Sequence, residues 1–101
     1  MLVNRWQAPI LPTQQQMALM LESEGLEVLE ETIPVGVGVT DHRHPFDEVR
    51  IVVKGQLLLD IAGNKLLLRA GDRILIPANT RHSKHSDGTE PCTCLYAMKA
   101  D

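Results

Sequence analysis

Residues 36–55 read GVGVTDHRHPFDEVRIVVKG, and the fold turns on how this stretch is read. Val37 and Val39 open a β-branched run that leads into His42-Arg43-His44. Residues two apart on a strand face the same way, with Cα atoms about 7 Å apart, so both imidazoles can reach one point. Pro45 breaks the ladder, and the three residues between His44 and Glu48 suffice for a short turn. Glu48 begins a second run, EVRIVV, which heads back and can bring its carboxylate to that same point. Two imidazoles and a carboxylate converging from neighbouring strands match the donor set of a first-row transition-metal site with open coordination positions. Two solvated histidines in a polar turn beside an exposed glutamate would give the same pattern.

A second stretch bears on that choice. Residues 71–86, GDRILIPANTRHSKHS, give a Gly-Asp turn, an apolar strand, a Pro-containing turn and then His82. Together the two stretches resemble the paired signature of the cupin superfamily. Gly36, His42, His44, Glu48 and Gly55 fill every position of its first half, and Gly71, Pro77 and His82 match its second. Asn79 stands where the family has its turn glycine, a mild departure because Asn tolerates the left-handed backbone. Ser86 stands where the family has Asn. The resemblance covers residues 34–98 and implies an all-β, jelly-roll barrel. It also implies that His42, His44, Glu48 and His82 hold one divalent metal ion, with Fe, Mn, Ni and Zn all open.

At 101 residues the chain has room for one domain, taken as 1–101 with an N-terminal arm and helix over 1–25. Apolar residues make up 44% and the formal charge is -3, with no basic block. Neither nucleic acid nor an anionic membrane surface is expected as a partner. The longest apolar run is far short of a membrane span, and no leader pattern opens the chain, so cytoplasm is the expectation.

Pro9 and Pro12 interrupt the opening segment MLVNRWQAPI, which therefore reads as an arm or edge strand. Thr13 and Gln16 have capping-box spacing and Gly25 suits a helix stop. Met17, Met20 and Leu21 would form the apolar stripe of a short helix lying on the barrel. From Leu26 to Ile33 the pattern alternates, placing Leu26 and Val28 on one face and Glu27 and Glu31 largely opposite. Further strands are expected over Gln56–Ile61, Lys65–Arg69, Arg73–Ile76, from His82, and over Thr93–Met98. Ala62-Gly63-Asn64 reads as a hairpin turn.

Arg50 lies two residues after Glu48, so alternation aims it inward, beside the ion. There it is the candidate catalytic residue, orienting an anionic ligand with paired oxygens such as a carboxylate or 2-oxo acid. A slip of one residue would turn it to the rim, to pair with Asp47 or Asp41. The segment DEVRIVVKG looks most like that of acireductone dioxygenases, which also carry an arginine two positions after the ligand glutamate. Lys84 and Ser86 share parity with His82, while His85 and Arg81 should face outward. Asp60 and Asp72 read as strand-surface and turn residues, and the facing of Tyr96 is open. Cys92-Thr93-Cys94 reads either as a soft-metal pair or as small buried hydrophobes. No second carboxylate is expected inside the barrel.

Two functional readings follow. One is a small metalloenzyme of oxygenase, isomerase or lyase type acting on a small anionic oxo or carboxylate metabolite. The other is a non-catalytic, metal-dependent binding or sensing module. A homodimer is expected in either case, with Trp6 and its neighbours packing on the partner.

Overall fold

The computed structural model describes residues 2–99. Thr13 caps the helix α1, Gln14–Ser23, through the expected reciprocal box: its side chain accepts from Gln16 N, and the Gln16 side chain accepts from Thr13 N. Gly25, at φ +81°, ends it. The described residues also form nine strands: β1 Leu2–Asn4, β2 Leu29–Ile33, β3 Gly38–His42, β4 Asp47–Lys54, β5 Gln56–Ile61, β6 Asn64–Arg69, β7 Arg73–Ile76, β8 His82–Ser86 and β9 Cys92–Lys99. They form two antiparallel sheets, ordered β1-β7-β4-β9-β2 and β3-β8-β5-β6, consistent with a jelly roll.

Alternation explains the interior. Along β5, Leu57, Leu59 and Ile61 turn inward, and they meet Val52, Leu68, Ile74, Ile76, Cys92 and Cys94 between the sheets. The β5–β6 hairpin closes on Ala62 and Gly63, both with positive φ, and Asp60 Oδ1 accepts from Gly63 N at 3.0 Å. This two-residue turn matches the right-handed twist of its strands and puts Asn64 in β6 rather than in the turn.

The five-stranded sheet is also covered on its outer face. Met17 and Leu21 of α1 pack on Val49, Ile51 and Leu95, with Leu26 and Val28 against the same cluster. Met20, expected in that stripe, is 43% exposed, so the buried contact is narrower than the sequence suggests. The arm joins the sheet as the edge strand β1, paired with β7. Asp72 ties it down: Oδ1 accepts from Trp6 N, and Oδ2 accepts from Arg5 Nη1 and Arg69 N, all within 3.0 Å. Trp6 lies across Gly71 of its own chain, so closely that a Cβ there would come within 2.7 Å of the Trp6 Cβ.

Candidate metal centre

Strand β3 stops at His42, after an irregularity in its pairing with β8 between Val39 and His42. His44 therefore lies in the connection to β4, not on the strand, and simple alternation does not position it. Two backbone contacts do. Asn79 N donates to His44 O, and Ala78 N donates to the Asp47 side chain at 2.8 Å. Both pin the β3–β4 connection to the turn before β8, where Asn79 adopts φ +59°, as its place in the motif requires. His82 enters from β8 opposite His42, its registered partner. Nitrogens of His42, His44 and His82 consequently lie within 4.8 Å of one another.

The rings are held for metal binding. His82 Nδ1 lies 2.9 Å from Thr80 O and His42 Nδ1 lies 2.9 Å from Thr40 O. An Nδ1–H donated to each carbonyl leaves the Nε2 lone pair free, as in histidines that ligate a metal. His82 is 1% exposed, and its Nε2 has no hydrogen-bond partner among the described residues. A buried lone pair without a partner is costly, and a bound cation would satisfy it. Phe46 stacks on His44, with ring centroids 4.9 Å apart. Burial, then the neighbouring His42, holds His44 below its usual pKa and so favours the neutral, ligating form. Three neutral imidazoles beside a carboxylate fit a first-row divalent ion.

Glu48 stands next to this cluster but outside the mutual 4.8 Å set. Its Oε1 is 3.6 Å from His44 Nε2, while its Oε2 accepts from Arg50 Nε at 2.9 Å. Burial would raise the Glu48 pKa, but the Arg50 guanidinium outweighs it and keeps the carboxylate below its usual value. Arg50 is 1% exposed and faces inward, with its guanidinium 4.7 Å from the centroid of Tyr96. Burial would discharge it, yet Glu48, Cys94 and Glu31 together hold it charged. The rim alternative does not occur, since Asp41 pairs with Arg81 and Asp47 is taken by Ala78 N.

One expectation fails here: a second carboxylate does line the barrel mouth. Glu31 Oε1 accepts from Arg50 Nη1 at 2.8 Å and from Lys84 Nζ at 2.7 Å. Burial pushes the Glu31 pKa up, but Lys84 and Arg50 bring it below the ordinary carboxylate value. Glu31 shares β2 parity with the buried Ile33, a signal in the sequence that places it on the barrel side. Phe46, two residues after His44, was likewise overlooked. Glu31, Phe46, Lys84 and Tyr96 join the ligand cluster around a cavity of about 350 Å³. Ser86 is buried near Glu90 O, and His85 faces away, 3.9 Å from Asp87.

The Cys92–Cys94 pair is fully buried in the barrel core as free thiols, Sγ to Sγ 3.8 Å. Contact with the Cys92 thiol, helped by Arg50, brings Cys94 down to about 7, while Cys92 is pushed up. Among the described residues no third side chain joins them as a metal ligand.

Comparison with known proteins agrees with this fold. The chain is 32% identical over 64 residues to "Polyketide synthase CurC" of Streptomyces cyaneus, covering 62% of this chain and 42% of that protein. It thus spans less than half of that curated relative. A cupin protein from Bacteroides fragilis superposes with TM-score 0.66 at 25% identity, over 72% of this chain and 64% of that one. The DMSP lyase DddQ from Ruegeria pomeroyi superposes with TM-score 0.67 at 22% identity, over 75% of this chain and 39% of that one, a likeness of fold alone. Residues 29–98 match the cupin domain, and the chain belongs to the cupin family.

Proposed function

We propose that this protein is a mononuclear divalent-metal enzyme of oxygenase, isomerase or lyase type, acting on a small anionic oxo or carboxylate metabolite. His42, His44 and His82 hold the ion, with Glu48 as fourth ligand. The observation that carries the reading is the buried, partnerless His82 Nε2 aimed at the other two rings. When bound, an Fe, Mn, Ni or Zn ion supplies Lewis acidity, and Fe, Mn or Ni also redox capacity. The chain does the rest. Arg50 and Lys84 place positive charge beside the ligand, Tyr96 and Phe46 wall the cavity, and Glu48 keeps Arg50 from turning away. The charges of Glu31, Glu48, Arg50 and Lys84 balance, so a divalent cation leaves the cavity positive and selective for anions.

The test is metal content followed by turnover of small oxo acids under air with each of the four metals. His82→Ala should lower zinc affinity at least about a hundredfold and abolish turnover, while Cys94→Ala should keep both. Retention of metal by His82→Ala would overturn the site. One observation favours a binding or sensing module instead: both cations are already engaged by carboxylates. Tight anion binding with no turnover under any of the four metals would select that reading.

The segment likeness to acireductone dioxygenases rests on Arg50 and does not name a substrate. We also place the protein in the cytoplasm, in keeping with its free thiols, and as a homodimer in which Trp6 and the exposed arm residues Leu2, Ile10 and Leu11 pack on the partner. A monomer at micromolar concentration in analytical ultracentrifugation would remove the dimer. No helix among the described residues is long and apolar enough to cross a membrane.

A further inference from the structure

Four charged side chains at the barrel mouth differ sharply in how firmly they are held. Arg50 is 1% exposed and Glu48 6%, and each is fixed by the other. Lys84 is 9% exposed and arrives from the opposite sheet. Glu31 is 31% exposed, stands on the edge strand β2, and gives one oxygen to both cations. Among the described residues, Glu31 is the only carboxylate paired with Lys84, whereas Arg50 retains Glu48 if Glu31 leaves. Glu31 is therefore the member of the network with access to water and the one whose departure frees two donors.

We propose that the Glu31 carboxylate is a resident stand-in for the carboxylate of the ligand. A small monocarboxylate with an adjacent oxygen, such as a 2-oxo or 2-hydroxy acid, takes the place of Glu31 on Arg50 Nη1 and Lys84 Nζ. Glu31 turns out to solvent as the ligand seats. The exchange is carboxylate for carboxylate, so both buried cations are paired before it and after it. It also sets specificity, because a neutral analogue cannot replace the charge that Glu31 removes. The adjacent oxygen rests on the metal reading above. The exchange itself stands on the charged network alone.

The experiment measures binding of pyruvate and of neutral pyruvamide by calorimetry, to zinc-loaded and to metal-free protein. The Arg50 Nε–Hε resonance is followed in parallel as a direct report on the guanidinium. Glu31→Gln is expected to tighten pyruvate at least about tenfold in both forms and to leave pyruvamide within about twofold. Glu31→Asp, which keeps the charge but shortens its reach, is expected to tighten it in the same direction. Lys84→Gln is expected to weaken pyruvate about tenfold. Pyruvate affinity unchanged in both Glu31 variants, equal tightening of pyruvamide, or no pyruvate binding by any variant would each overturn the exchange. Failure of wild-type protein to bind zinc would sink the metal reading instead, and the metal-free titrations would still decide this one.

Discussion

Strand β4 has two buried faces that hold by different physics. Toward α1 it presents Val49 and Ile51, and toward the barrel it presents Glu48, Arg50 and Val52. The outer face is apolar contact, proportional to area and tolerant of changes that conserve volume. The inner face is a set of ion pairs whose desolvation is offset only while every partner is present. The contrast teaches that the helix side fixes where the strand lies, and the barrel side uses that rigidity to hold charge beside three imidazoles.

The largest expected effect comes from breaking the inner face. Arg50→Met leaves the buried Glu48 without its guanidinium partner and should cost about 3–5 kcal/mol in urea unfolding of the metal-free protein. A loss below about 1 kcal/mol would erase the distinction between the faces. Next comes the outer face: Leu21→Ala should cost about 3 kcal/mol in thermal unfolding, and Met20→Ser less than about 0.5 kcal/mol. Equal costs at positions 20 and 21 would mean that α1 seats differently from the arrangement described.

Acid should separate the regions last and most gently. Asp72 is pushed up by burial but held lower by the N–H groups of Arg69 and Trp6 and by Arg5, for a net depression in the folded state. Its contribution is therefore complete above the unfolded value of about 3.9 and is lost as pH falls through the lower folded value. The single tryptophan reports on the arm, so its fluorescence should shift to the red only in strong acid, as pH falls past the ordinary carboxylate range. Asp72→Asn should show the shifted spectrum already at neutral pH. An Asp72→Asn spectrum identical to wild type at neutral pH would show that the carboxylate does not tether the arm.

Local chemistry was legible in the sequence, and tertiary context was not. The Thr13–Gln16 cap and the bounds of β5 and β7 follow from side chains a few residues apart, and the structure reproduces them. The left-handed Asn79 was expected from its place in the motif and occurs. Glu31 was missed because an apolar strand face normally marks the interior. Here α1 buries the outer face as well, so polarity alone does not distinguish inside from outside. His44 was placed on a strand because the irregularity that ends β3 depends on its partner β8, which no single segment encodes. Arg50 could be aimed inward by parity, but the two carboxylates that share it come from β2 and from its own strand.

The three histidines also differ in their anchorage. His82 sits on β8, which is flanked by β3 and β5, whereas His42 ends an edge strand. Gly38, at the other end of that strand, lies so near His85 that an added Cβ would collide at 2.4 Å. A metal ion held there would then exchange by fraying of this edge ribbon while the rest of the two sheets stays paired. The rate of metal exchange would track hydrogen exchange at the Val39–His42 amides, well ahead of global unfolding.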